Sequence, residues 1–126
     1  MTRIAIIGGG PAGYESALVA AQLGAQVTVV DRDGIGGACV LTDCVPSKTL
    51  IATSDRVTAL RDAPKVGVEA GTADVHVSMP TVNRRIKDLA RQQSADIQAR
   101  LQSVGVQVLP GSGRFATEQP PRAHRG

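Results

Sequence analysis

Residues 3–31 read RIAIIGGGPAGYESALVAAQLGAQVTVVD. Arg3–Ile7 is a short apolar run that ends on three glycines, the pattern of a strand buried on both faces. Small and apolar residues fill 11–23, with Ala17, Leu18, Ala21 and Leu23 placed for packing, and Gly24 closes the helix they predict. Residues 26–30, QVTVV, are a β-branched run and predict a second strand that ends at Asp31. Strand, glycine turn, helix and strand make a βαβ unit, with parallel strands and a right-handed crossover. The chain is therefore of the α/β class.

Working outward, residues 47–61 read as a helix that Ala63-Pro64 ends or bends, and residues 67–79 are short, glycine-containing and irregular. Ser78 and Pro80 are start signals for a long helix. Val82, Ile86, Leu89, Ile97, Leu101 and Val104 form its expected apolar stripe. Arg84, Arg85, Lys87, Asp88 and Arg91 lie largely off that stripe, on a solvated face. Gly105 ends the helix, and residues 106–109 predict a third strand. The three strands are expected in the order 3-2-1, with residues 4–7 innermost in a complete sheet and a further strand beyond them.

The chain has 126 residues, one domain's worth, and 42% are hydrophobic, enough for a core. Tyr14 and Phe115 are its only aromatic residues, so that core must be aliphatic. Of the net charge of +3, most sits in residues 114–126, and no basic stripe interleaved with aromatics exists to hold nucleic acid. The apolar run at the start is too short for a signal peptide, and no stretch approaches the roughly 20 apolar residues of a membrane span. A cytoplasmic location is expected. From Thr117 the sequence TEQPPRAHRG is polar and proline-rich and is expected to be disordered. His76 and His124 stand far from each other and from the cysteines, so zinc spacing is not present.

Gly8-Gly9-Gly10-Pro11-Ala12-Gly13 is a GxGxxG that follows a strand and opens a helix, with the acidic Asp31 about twenty residues on. In that context the pattern marks a dinucleotide site. Gly8 permits the tight turn, Gly10 lets backbone approach a pyrophosphate, and Gly13 lets helix and strand pack closely. The N-terminus of the helix that opens at Pro11 and Ala12 offers unpaired N–H groups beyond the proline and a partial positive charge to phosphates. Asp31 is positioned to accept hydrogen bonds from ribose hydroxyls, which favours an unphosphorylated ribose, although Arg32 beside it also suits a phosphate. FAD and NAD both remain open on this pattern alone.

The two cysteines of the chain lie in residues 36–48, GGACVLTDCVPSK. Cys39 and Cys44 admit several readings: a staple, a metal site, two small buried residues, or a redox pair. In a cytosolic chain a lasting structural disulfide is unusual. On one regular helix, residues five apart are separated by about 7.5 Å along the axis. Since a disulfide needs Cα atoms within roughly 4.4–6.8 Å, the pair closes only with Cys39 in a loop and Cys44 near a helix start. Pro46 fits a first helical turn. The helix terminus and Lys48 would both favour a thiolate at Cys44. Such a pair beside a nucleotide is suited to exchanging two electrons with a ring system.

The stretch GGGPAGYESALVAAQLGAQVTVVDRDGIGGACVLTDCVPSKT resembles the N-terminus of the pyridine nucleotide–disulfide oxidoreductases, such as lipoamide dehydrogenase and glutathione reductase. The likeness runs from residue 3 to about 114. It implies a partial Rossmann-like FAD-binding domain over residues 1–116, a parallel sheet with helices on both faces. It further implies Gly8, Gly10, Gly13 and Asp31 on the ADP half of FAD, Gly37 in the flavin-side loop and Lys48 near the reactive edge. Cys44 would face the flavin as the thiolate, and Cys39 would exchange with substrate. Electrons would pass from NAD(P)H to a quinone or to a disulfide such as lipoamide, in a homodimeric parent.

Two departures stand out: Ala38 replaces the usual threonine, removing a hydroxyl contact to the cofactor, and Leu41-Thr42-Asp43 replaces Asn-Val-Gly. The strings VLTDCVPSKT and VNRRIKDLARQQSADI resemble an actinobacterial quinone-reductase branch in which the first cysteine is not always kept. Cys39 is thus either the exchanging thiol or incidental. Because the family's later domains are not in this sequence, and residues 117–126 read as frame-shifted or prematurely ended coding sequence, a truncated fragment is expected. The alternatives are a small dinucleotide-binding module without turnover and a non-functional gene remnant.

Overall fold

A computed structural model describes residues 1–69 and 75–116. The tail expected to be disordered lies outside the described residues. Three strands, β1 (Arg3–Ile7), β2 (Gln26–Asp31) and β3 (Gln107–Pro110), form one parallel sheet with β2 in the centre. Arg3 pairs with Gln26 and Ile7 with Val30, while Thr28 pairs with Gln107 and Asp31 with Pro110. This is the expected 3-2-1 order.

Helix α1 (Pro11–Gln22) joins β1 to β2. Its proline sits at the first turn, where no N–H is needed. The helix ends in a six-residue loop-back: Gly24, at φ +83°, lets Ala25 N–H donate to the Ala20 carbonyl at 3.0 Å. The second crossover holds α2 (Gly37–Leu41), α3 (Cys44–Asp62), a 3₁₀ turn over Ala63–Val66, and the long α4 (Met79–Ser103). α4 ends as α1 does: Gly105 takes φ +83°, and Val106 N–H donates to the Leu101 carbonyl at 3.0 Å. Both crossover helices thus stop on a left-handed glycine and hand the chain directly to a strand.

Val27 and Val29 project from one face of β2 into a cluster with Ala17 and Leu18 of α1 and Leu101 of α4, joined by Ile35 and Val106. Ile4, Ile6 and Val108 extend that layer from the flanking strands. Helices on both faces were expected; among the described residues α1 and α4 both cover this same face. The reason is topological. The chain steps from β1 to β2 to β3 in one direction, and two right-handed crossovers in one direction lie on one side. β1 is accordingly half covered rather than buried on both faces, its exposure alternating along Arg3–Ile7.

The stripe on α4 runs through Val82, Ile86, Ala90, Ser94, Ile97 and Leu101, of which Val82, Ala90 and Leu101 are buried. Leu89 and Val104, expected on it, are exposed. Small residues at 90 and 94 let the neighbouring segments approach, a role that a count of large apolar residues does not register.

Candidate functional site

The glycine loop crosses the ends of β1 and β2. Gly8 has φ +103°, and its N–H donates to the Val30 carbonyl at 2.8 Å, so the turn requires glycine. A β-carbon at Gly13 would overlap the carbonyl oxygen of Gly8, so close strand–helix contact excludes any side chain there. Gly10 differs. Its φ is −69° and a β-carbon would meet nothing within 4 Å, so neither backbone nor internal packing calls for glycine. What its bareness leaves open is the approach to the N-terminus of α1. An open groove of about 580 Å³ runs there, lined by Gly8, Gly10, Pro11, Ala12 and Gly13.

The cysteine segment docks directly on this loop. Gly36 N–H donates to the Gly9 carbonyl at 2.7 Å. Gly37, at φ +58°, stands so near that a β-carbon on it would lie 2.9 Å from the Cα of Gly10. Asp31, at the end of β2, links the same two segments. Its Oδ2 accepts from Gly9 N–H at 2.6 Å, and its Oδ1 accepts from Asp33 and Gly34 N–H at 2.8 and 2.7 Å. From the other side, Ser94 of α4 donates its hydroxyl to the Ile35 carbonyl at 2.5 Å.

Cys39 lies inside the short helix α2, not in a loop as expected, and Cys44 is the first residue of α3. The chain breaks between them at Thr42 and Asp43, whose N–H groups both donate to the Ala38 carbonyl, at 3.0 and 2.8 Å. That break replaces the loop and turns the two thiols toward one another. Both are free, Cys39 half-buried and Cys44 exposed. A hydrogen bond with the Cys44 side chain, followed by burial, pushes the Cys39 thiol above its ordinary range. The charges of Cys44 and Asp43 add to this, and Lys48 opposes it. Lys48 follows Cys44 by one helical turn on α3 and is exposed.

Arg32 points into solvent and pairs with its neighbour Asp33 through two bonds of 3.0 Å, which holds the Asp33 carboxyl below its usual range. Ala38 is exposed. The sequence reading overlooked Gly9, Gly34, Gly36 and Ser94. The run Asp31–Gly34, an acid with a glycine three residues on, is a turn signal that could have flagged Gly34. Nothing local points to Ser94.

This chain belongs to the pyridine nucleotide-disulphide oxidoreductase family, whose model matches residues 2–124. It is 54% identical, over 95% of its length, to a protein of Mycobacterium tuberculosis named NAD(P)H dehydrogenase (quinone), and covers 25% of that relative. It is 34% identical to dihydrolipoyl dehydrogenase 2 of Haloarcula marismortui, over 99% of this chain and 26% of the other. The crystal structure of LpdA from Mycobacterium tuberculosis superposes with a TM-score of 0.86 at 54% identity, covering 95% of this chain and 26% of that one. The chain therefore spans about a quarter of the length of the curated relatives it matches.

Proposed function

We propose that this chain is the N-terminal part of an FAD-dependent oxidoreductase that passes electrons from NAD(P)H to a quinone or a small disulfide. The observation that carries the reading is the docking of Gly36 and Gly37 on Gly9 and Gly10, which sets a free thiol pair beside a dinucleotide-type loop. The bare Gly10 and the open N-terminus of α1 fit the pyrophosphate of such a cofactor. When bound, FAD supplies two-electron transfer between a nicotinamide and the sulfurs.

The chain's own residues then have these roles. Gly8, Gly10 and Gly13, with Pro11 and Ala12, shape the phosphate cradle, and Asp31 offers an acceptor to the ribose. Gly37 keeps the flavin-side loop close, and Ala38 leaves that loop without a hydroxyl. Cys44, exposed at the start of α3, faces the ring, with the cationic Lys48 one turn away. Cys39 exchanges with a substrate disulfide: a Cys39–Cys44 disulfide takes two electrons and two protons to give the dithiol, which a substrate disulfide then reoxidises. The ion pair of Arg32 with Asp33 occupies the group that would otherwise select a 2′-phosphate. A cytoplasmic homodimer is the expected form of the whole protein.

The test uses a full-length protein carrying this segment. It is expected to purify yellow with about one flavin per chain. Cys44→Ser is expected to remove the long-wavelength absorbance seen on two-electron reduction. If Cys39→Ser leaves quinone turnover intact but ends disulfide turnover, the quinone-reductase branch is favoured. A colourless protein that binds NAD at the glycine loop would sink the reading.

A further inference from the structure

We infer that Asp31 is a positioning residue: its carboxylate clasps the glycine loop to the turn at residues 33–36 and so sets where the cysteine segment stands. Residues 8–10 are all glycine and have no side chains with which to hold themselves in place. Among the described residues, Asp31 is the one side chain that bonds their backbone, through Gly9 N–H at 2.6 Å. The opposite oxygen takes Asp33 and Gly34 N–H, which closes the turn leading into α2. The peptide unit between Ile35 and Gly36 is then fixed at both ends: its carbonyl by the Ser94 hydroxyl, its N–H by the Gly9 carbonyl. Gly37 and Cys39 follow within three residues.

All three partners of the carboxylate are N–H donors, so the acceptor-only form of the side chain is what the geometry uses. Asparagine has the same size but a single oxygen. Either Gly9 or the Asp33–Gly34 pair would then face an NH₂ group. Glutamate keeps both oxygens, but its extra methylene moves them away from the short reach to residues two and three positions on. The clasp also limits what Asp31 can do for a cofactor. A carboxylate has about four lone-pair sites, and Oδ1 already accepts from two donors. One further donor, at Oδ2, can be accommodated, so Asp31 grips one ribose hydroxyl and not two. That last point rests on the cofactor reading above; the clasp itself does not.

Hydrogen exchange read by mass spectrometry on the full-length protein stripped of cofactor tests the clasp. Asp31→Asn and Asp31→Glu are expected to speed exchange about tenfold, the effect of losing one hydrogen bond of ordinary strength, in peptides holding Gly9 and residues 34–36. Peptides over Val27–Val29 should stay unchanged. Gly36 is the telling amide because its acceptor is Gly9, not Asp31. Unchanged exchange at Gly36 together with weakened FAD binding would overturn the clasp and leave ribose binding as the role of Asp31. Faster exchange everywhere would also overturn it, as general destabilisation. If neither variant folds, carbodiimide labelling of the unmodified protein without cofactor decides. Asp31 should label several-fold more slowly than the exposed Asp43 and Asp55, and equal labelling would refute the clasp.

Discussion

Single residues here carry distinct physical jobs that the same substitution would expose differently. Gly13 is a packing glycine, since its missing β-carbon is where the Gly8 carbonyl stands. Gly13→Ala is expected to cost about 1–3 kcal/mol or more through forced strand–helix separation, read from urea denaturation of a full-length protein. An unchanged midpoint would mean that the strand end yields freely. Cys39 is held in its protonated form above the ordinary thiol range, with the Cys44 side chain as the leading cause. At neutral pH less of it is therefore thiolate, and only the thiolate reacts. Cys44→Ala removes that cause, so the midpoint for alkylation of Cys39 by iodoacetamide should move to lower pH. A midpoint that stays in place would show that burial and the charges of Asp43 and Lys48 set it.

At the level of elements, the two crossover helices end on the same device, and their glycines are needed for backbone reasons only. A β-carbon on Gly105 would meet nothing within 4 Å, but its φ of +83° lies in the left-handed region. Gly105→Ala is thus expected to destabilise by about 1–2 kcal/mol, a cost set by backbone geometry and not by crowding. Thermal unfolding compared with an exposed mid-helix control such as Gln92→Ala would measure it. α2 and α3 behave as a broken helix. The Ala38 carbonyl gathers the N–H groups of both Thr42 and Asp43, and the resulting bend lets two cysteines five residues apart meet. A straight helix through the same residues would separate them by more than a turn.

At the scale of the whole molecule, β1 is an outer strand of the sheet, with its far edge unpaired among the described residues. Gln26 N–H donates to the Thr2 carbonyl and Gly8 N–H to the Val30 carbonyl. The alternation of a parallel ladder therefore turns the N–H and C=O groups of Arg3, Ala5 and Ile7 outward. Beside this free edge lies an apolar groove of about 610 Å³ between Ile4 and residues Val19, Ala20 and Leu23, and Leu23 is 82% exposed. Each large apolar side chain left wet forgoes roughly 1.5–3 kcal/mol of burial, against a net stability of about 5–15 kcal/mol for a domain. The 126-residue chain on its own is therefore expected to self-associate as its concentration rises and to hold FAD weakly. Sedimentation velocity should show that Ala5→Lys, which sets a charge at the edge, and Leu23→Lys both reduce the association. A monomeric chain with cooperative unfolding and stoichiometric FAD would instead favour a small binding module. No helix among the described residues is long and apolar enough to cross a membrane.

The βαβ unit, the glycine turn and the strand order were all legible in residues 3–31 and 106–109, because periodicity and glycine positions act locally. Gly8 and Gly13 could be assigned from the motif for the same reason: each meets a steric demand set within a few residues. The layering was open to the same kind of reading. The 3-2-1 order with right-handed crossovers already places both crossover helices on one face. The expectation of cover on both faces came from the apolar run Arg3–Ile7, which reads as a doubly buried strand whether or not its second face is covered. The long-range partners of Asp31 and Ser94 could not be read from sequence. Asp31 meets Gly9 across 22 residues and Ser94 meets Ile35 across 59, distances over which only the packed sheet and the long helix decide which polar groups come together. The sequence by itself determined a dinucleotide-type α/β segment with a cysteine pair. The tertiary structure decided that an aspartate and a serine hold that pair's segment against the glycine loop, because glycines have no side chains to do so themselves.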